Sequence, residues 1–416
     1  MRDEGLVTEW GAMRLETGFG KDDRFELPAR GRLNSLSEDQ TASSLIPLGK
    51  NVFVFLEIFS IEGGIQSYVK DILRAYSSLV GGADVFLLRD GAVVDNPLET
   101  SLLKFHYLKT RFASLGRIRL AAALFAYLLK NRPQRVFCGH INLAPLVRAL
   151  CQPLGIPYTV LTYGKEVWEP LPENKRKALQ QADRIWTISR YSRDRCCEAN
   201  EIDPNRVEML ACAIDGTAFT PGAQSPELVD RYQLANSKVL MTVARLWSGD
   251  PYKGVDVTIR ALPEILRTFP TVKYLVIGRG DDQPRLAQLA AELGVSDRVV
   301  FAGFVSTKDL VSHYRLADAY IMPSQEGFGI VYLEAMACGI PVLSGDADGS
   351  ADPLQDGELG WRVPHRDPSA VAAACVEMLR GNDRRCDGHW LRERSLQLFD
   401  KPAFAQRLKE LVRSEE

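Results

Sequence analysis

No run of about 18 uncharged apolar residues occurs in this 416-residue chain, so a membrane-spanning helix is not expected. The amino terminus is polar and lacks the apolar core of a signal peptide. Cysteine is sparse: there are eight, two of them adjacent (Cys196 and Cys197), with no Cys-x-x-Cys pair. That excludes a patterned zinc site or a disulfide framework. Scattered thiols fit a reducing compartment, so the cytoplasm is the expected location. An excess of one charge is also missing. The 51 Lys and Arg nearly balance the 53 Asp and Glu, for a net charge of -2, which argues against a general polyanion binder. Gly-Arg-Gly at 278–280 does not extend into Gly-x-Gly-x-x-Gly, which argues against a dinucleotide oxidoreductase. What is present is an ordinary globular balance, 46% apolar and 25% charged, in a length typical of about two domains.

Residues 1–49 mix charge, Gly and Ser with little periodicity and read as a poorly ordered extension. From "NVFVFL" (51–56) onward, short apolar runs alternate with helical stretches: "DVFLL" (84–88), a helix near 117–131, "RVFCG" (135–139), "YTVLTYG" (158–164) and "RIWTIS" (184–189). A Pro-, Gly- and Ser-rich stretch, 214–237, marks a domain boundary. The alternation then resumes with "KVLMTVARL" (238–246), "KYLVIG" (273–278), "RVVFAGF" (298–304), "AYIMPS" (319–324) and "PVLSG" (341–345), helices intervening. The pattern predicts an α/β protein of two doubly wound halves, each with a parallel sheet covered by helices. The expected division is 50–217, completed by a C-terminal helix at 400–416, and 218–399. Ligands of such sheets bind beyond the carboxyl ends of the strands, so the natural site is the cleft between the halves.

The most informative stretch is "EGFGIVYLEAMACG" (326–339). Glu326 lies just past an expected strand, on a turn made by Gly327, Phe328 and Gly329, and a helix opens at Ile330. Glycines let backbone N–H groups approach a ligand, and a helix N-terminus favours an anion or a hydroxyl-rich group. Glu334 stands eight positions after Glu326, a little over two helical turns. Two carboxylates so spaced can accept from hydroxyls at both ends of a long ligand such as a nucleotide sugar. In "VARLWSGDPYKG" (243–254), Arg245 ends a strand and Lys253 precedes a helix, two cations that suit a diphosphate. In "EGGIQSY" (62–68), Gly63 and Gly64 occupy the first strand-to-helix turn, where exposed amides can cradle phosphate.

Taken together, "EGFGIVYLEAMACGIPVLSG", "EGGIQSY", "ARL…YKG" and "FAGFV…LADAYIMPS", in that relation to one another, resemble the E-x7-E signature of the retaining glycosyltransferase family GT4, which has the GT-B fold. The resemblance covers about residues 51–412. It implies two Rossmann-like domains facing a cleft and transfer of a hexose from a nucleotide-sugar donor to a saccharide or lipid-linked acceptor, with retention, in cell-surface polysaccharide or glycolipid synthesis. By similarity, Glu326 contacts donor-sugar hydroxyls, and the backbone from Gly327 through Phe328 and Gly329 to Ile330 lies against sugar and diphosphate. Glu334 binds ribose, Arg245 and Lys253 neutralise the leaving diphosphate, and Gly64, with Gly63, lies beside it from the other half. Segment 301–305 frames the base. No metal and no cofactor is then required, and no Asp-x-Asp is expected between strands to hold one. The donor phosphate itself takes part in removing the acceptor proton.

Relatives often carry a histidine in a stretch like His-Gly-x-Glu, where this chain has "TYGKEVWE" (162–169) with Tyr163 in that place. Tyr163, Lys165, Glu166 and, from "FCGHIN", His140 are therefore the acceptor-side candidates. Between Glu99 and Glu166 no acidic residue occurs, while cations such as Lys104, Arg111, Arg117, Arg119, Lys130 and Arg132 do, interleaved with Leu, Phe and Tyr. Such a face at 104–135 is expected to make peripheral contact with an anionic membrane, at its inner side if the enzyme is cytoplasmic. Nucleic acid is not expected, because no recognised binding module accompanies the cations. Two other classes fit less well: a nucleotide-sugar epimerase of the same shape, and a non-catalytic sugar-nucleotide-binding subunit.

Overall fold

The computed structural model describes residues 51–61, 63–92, 96–249 and 253–414, all within one compact unit. The expectation for 1–49 lies outside the described residues, as do Glu62 and residues 250–252 of the cation segment.

The amino-terminal half is a seven-stranded, wholly parallel sheet in the order β3-β2-β1-β4-β5-β6-β7. Its strands are β1 (Asn51–Phe55), β2 (Ala83–Leu87), β3 (Leu103–Tyr107), β4 (Val136–Cys138), β5 (Tyr158–Leu161), β6 (Arg184–Thr187) and β7 (Val207–Met209). Between them run α1 (Gly64–Leu79), α2 (Ala113–Asn131), α3 (Ala144–Cys151), α4 (Glu173–Gln180) and α5 (Arg190–Asn200). Every residue of β1 and β2 is buried, which explains their continuous apolar sequence: helices cover both faces, so no alternation is needed.

After α6 (Pro226–Arg231), a second parallel sheet follows in the order β10-β9-β8-β11-β12-β13. It comprises β8 (Val239–Val243), β9 (Lys273–Ile277), β10 (Val299–Gly303), β11 (Ala319–Met322), β12 (Val342–Gly345) and β13 (Trp361–Val363). Its helices are α7 (Val255–Thr268), α8 (Gln283–Glu292), α9 (Thr307–Tyr314), α10 (Ile330–Ala337), α11 (Pro368–Arg380) and α12 (Gly388–Phe399), and α13 (Lys401–Ser414) follows them. This is the expected class, two Rossmann-like halves. Three strands, β3, β7 and β13, were not foreseen from the sequence. Each is the edge of its sheet, and β3 reads Leu-Lys-Phe-His-Tyr, half polar, because an edge has one neighbour and more solvent.

The chain crosses between the halves twice, side by side. Ile214 donates its N–H to the Phe399 carbonyl and bridges in parallel to Asp400, and Lys401 pairs with Asp215. Beyond that crossing, α13 returns to the first half and packs on α1, with Phe404 edge-on to Tyr68 at 5.9 Å. In each sheet the strand order reverses at one point, between β1 and β4 and between β8 and β11. Those two reversals are where an open α/β sheet leaves a crevice at its carboxyl edge.

Candidate functional site

The residues singled out above fall at these two reversals. Glu326 follows β11. Its turn is rooted by Tyr332, whose hydroxyl donates to the Met322 carbonyl at 2.7 Å, and by Gly329, the residue capping α10, at φ 93°. A Cβ on Gly329 would stand 2.4 Å from the Tyr332 ring, so the turn requires glycine both for conformation and for space. Helix α10 begins with neither a side-chain cap nor an acid in its first turn, leaving its N-terminal amides to a ligand.

Lys253 reaches the same place from β8's side. Gly254, at φ 73°, lies so close to the Pro323 carbonyl that a Cβ would come within 2.4 Å of it. This approach sets Lys253 beside the end of β11, where its Nζ donates to Glu326 Oε1 at 2.5 Å. Arg245 follows β8, exposed, its guanidinium 5.4 Å from the Trp247 ring centroid. Arg245, Lys253 and Gly254 line one small cleft with Arg285, a further cation held bidentate by Asp282 at 2.6 and 2.7 Å. The two expected phosphate cations are thus brought together, with the acid beside them.

Glu334 sits about one turn along α10, and its Oε2 accepts from the Tyr314 hydroxyl at 2.7 Å. Burial pushes its carboxyl from the usual 4.5 up to about 7, with the tyrosine bond opposing the shift. Gly63 and Gly64 lie at the uncapped start of α1, and a Cβ on Gly64 would meet nothing within 4 Å. The rest of that loop is already occupied. Asp90, fully buried at the end of β2, accepts from the amides of Ile58 at 2.6 Å and Ser60 at 2.8 Å, and from the Ser60 hydroxyl. Asp90 thus takes the amides of Ile58, Phe59 and Ser60, and no side chain among the described residues caps the start of α1.

The acceptor-side candidates need correction. Tyr163 is buried, with its hydroxyl donating to the Gly139 carbonyl at 2.7 Å and its ring edge-on to Tyr68, so it presents no hydroxyl to a ligand. The Glu166 carboxylate is taken up by backbone: it accepts from the Tyr163 amide at 2.5 Å and caps its own turn. His140 is half-buried, and its Nδ1 accepts from the Asn142 amide at 3.0 Å, which leaves the hydrogen on Nε2. Burial, then the cations Lys175 and Arg89, lower its pKa to about 4, so the ring is neutral at pH 7. Lys165 is exposed. The turn itself matters through its backbone: Gly164 packs on Gly327, so that a Cβ on Gly327 would stand 2.6 Å from the Tyr163 carbonyl. The side chain of Phe328 is also turned away, 1% exposed and packed on Phe399 at 5.8 Å, leaving only its backbone at the site.

One absence expected from the sequence is corrected. Asp346-Ala347-Asp348 is an Asp-x-Asp directly after β12. Its two carboxylates go to different places: Asp346 accepts from the His365 amide at 3.0 Å, and Asp348 from the Glu326 amide at 2.6 Å. Asp90 and Arg285 carry no signal in the sequence, because they act on backbone groups or on a neighbour three residues away; Asp348 is visible as part of the Asp-x-Asp, but its hold on the Glu326 amide is not.

Residues 237–381, which hold all of these donor-side groups except the α1 glycines, match the family described as Glycosyl transferases group 1. Over this stretch the chain is similar to the GT4-like glycosyltransferases. Among relatives of this family, a GDP-mannose-dependent alpha-(1-6)-phosphatidylinositol monomannoside mannosyltransferase of Mycolicibacterium smegmatis is 34% identical over 232 residues, 52% of this chain and 59% of that protein. The matched stretch therefore spans less than two thirds of it. A GDP-mannose-dependent monoacylated alpha-(1-6)-phosphatidylinositol monomannoside mannosyltransferase of Corynebacterium glutamicum is 27% identical over 338 residues, 78% of this chain and 87% of that one. Among solved structures, Anabaena HepE in complex with UDP superposes with a TM-score of 0.71 at 20% identity, covering 88% of this chain and all of HepE, a likeness of fold.

Proposed function

We propose that this chain is a retaining hexosyltransferase that moves a sugar from a nucleoside diphosphate donor to a glycolipid or saccharide acceptor. The observation that carries the reading is the Lys253–Glu326 pair, lined up with Arg245 and the uncapped start of α10 at the β8/β11 reversal. A departing nucleoside diphosphate gains negative charge, and two cations with a helix N-terminus stabilise that charge most where it develops. Glu326 accepts from sugar hydroxyls while Lys253 holds its carboxylate in place. Glu334, with one oxygen on Tyr314, offers the other to the ribose. With these cations at the diphosphate, a divalent ion has no task there.

The named relatives use GDP-mannose, which makes it the first donor to test. Their acceptors are lipids, and α2 supports a lipid acceptor here. Besides its buried face of Leu120, Leu124 and Leu128, the helix has a second apolar stripe facing solvent: Leu115 at 52% exposure, Ile118 at 66%, Phe125 at 44% and Leu129 at 47%, led by Phe112 at 63%. Arg111, Arg117, Arg119, Lys130 and Arg132 flank the stripe, also exposed. Among the described residues no helix is long and apolar enough to cross a membrane, so contact would be along the surface. The test is incubation of the purified chain with GDP-mannose or UDP-glucose and acceptors presented in anionic liposomes, with the anomer of the product read by NMR. An α-linked product supports the reading. Absence of transfer from either donor to lipid and saccharide acceptors alike overturns it.

A further inference from the structure

Both backbone groups of Glu326 are held by one short segment after β12. Asp348, 2% exposed, accepts the Glu326 N–H at Oδ2, 2.6 Å away, and Gly349 donates its own N–H to the Glu326 carbonyl at 2.9 Å. The clamp is itself braced, since Asp348 Oδ1 accepts from Ser350 N at 2.9 Å and from the Ser350 hydroxyl. Gly349 has no room for a side chain: a Cβ would stand 2.0 Å from the Gly327 carbonyl and 2.8 Å from Ser189 Oγ.

A few residues on, the same segment is gripped by the other half of the molecule. Asp352, 1% exposed, accepts the backbone N–H of Arg190 at 2.7 Å and also the Arg190 Nε, while Arg190 Nη2 reaches Asp356 at 2.9 Å. Arg190 is the first residue of α5, directly after the N-cap Ser189. Two residues along that helix, Ser192 Oγ donates to the Gly327 carbonyl at 3.3 Å. The amino-terminal half therefore touches the glutamate turn directly at Gly327 and, through the strap 348–356, at the backbone of Glu326. The strap is stiffened by two short 3-10 turns, at Gly349–Ala351 and Gln355–Gly357, with Ser350 and Leu354 fully buried.

We propose that Arg190 is a positioning residue of the donor site: its grip on Asp352 and Asp356 sets, through Asp348 and Gly349, where the Glu326 carboxylate stands. The substrate part of this inference rests on the proposed sugar transfer; the mechanical part does not. A carboxylate that aligns sugar hydroxyls loses its effect when displaced by a fraction of its hydrogen-bond length. The two halves thus share control of the acid that only one of them carries. Nucleotide binding is left to residues outside the strap.

Removing Arg190 alone would leave Asp352 buried without its partner, which threatens the fold. The paired variant Arg190→Gln with Asp352→Asn keeps hydrogen-bonding shape and removes both charges. Asp348→Asn is the second probe: the two carboxylate oxygens accept the N–H groups of Glu326 and Ser350, and an amide has one acceptor for the two, so one of these bonds of the clamp is lost. Hydrogen exchange of the peptide covering 325–330 is compared with that of β9, and transfer from GDP-mannose or UDP-glucose is measured beside calorimetric binding of GDP and UDP. The expected result for both variants is faster exchange confined to 325–330, kcat lower by about a hundredfold, the scale of an ångström-sized misplacement, and unchanged binding of the free nucleotide. Unchanged exchange at 325–330 overturns the proposal. Exchange that rises in β9 as well, with nucleotide binding lost, also overturns it, because the strap would then be holding the fold rather than the acid. If the wild-type chain transfers no sugar, the proposed function fails and the exchange measurement still decides the strap.

Discussion

The two strand-to-helix glycine turns, after β1 and after β11, occupy equivalent places at the two sheet reversals and are built in opposite ways. The β11 turn carries an acid, pairs it with Lys253, and is held on every side: Asp348 and Gly349 on the backbone of Glu326, Tyr163 and Gly164 against Gly327. The β1 turn spends its buried acid, Asp90, on the amides of its first residues and leaves the α1 N-terminus bare, with open space over Gly64. One turn offers a precisely supported side chain, the other offers backbone amides. The difference teaches that a single topology, repeated, can supply the recognition of hydroxyls in one half and of anionic oxygens in the other.

Four kinds of change break that comparison, in falling order of effect. Lys253→Ala should lower turnover by about 10²–10³-fold, the scale for loss of one preorganised group at developing negative charge, with circular dichroism unchanged. Arg245→Ala should act in the same direction. Near wild-type rates in both would remove the cations from the site. Gly327→Ala pushes a methyl against the Tyr163 carbonyl and should cost about 1–3 kcal/mol of stability, read as a lower Tm. Gly64→Ala should leave Tm in place and lower only turnover, since its methyl enters space that a phosphate would share. If the two glycine variants melt alike, the contrast between the turns is wrong.

The third effect is on pH. With its carboxyl at about 7, Glu334 is half protonated at neutral pH, and its charged, better-accepting form grows as pH rises. Donor affinity should therefore strengthen from pH 6 to pH 8, and Glu334→Gln should flatten that slope. For stability the sign is reversed. The folded chain holds this proton more tightly than the unfolded one, so the group's contribution is present below about 4.5 and is lost as pH rises through about 7. The smallest expected effect is that of EDTA, which should leave transfer unchanged; restoration by a divalent ion alone would contradict the assignment of the diphosphate to Arg245 and Lys253.

The central strands of both sheets were readable because they are buried on both faces and so form unbroken apolar runs; β3, β7 and β13 were not, being partly polar edges. Glu326 and Lys253 were readable because spacing and glycine content place them at strand ends. Tyr163 and Glu166 were misread for a common reason. A loop position tells that a residue is near the cleft, and only packing tells whether its side chain turns toward ligand, toward its own backbone or into the core. Asp348, Asp90 and Arg190 escaped notice because their partners are peptide groups, or carboxylates more than a hundred residues away.

Calorimetric titration of GDP-mannose into the wild-type chain and into the Arg245→Ala, Lys253→Ala double variant tests the donor site most directly. The account predicts saturable one-to-one binding by the wild type, and in the double variant an affinity weaker by at least about tenfold, each tenfold being about 1.4 kcal/mol. Equal affinity in the two proteins would contradict it.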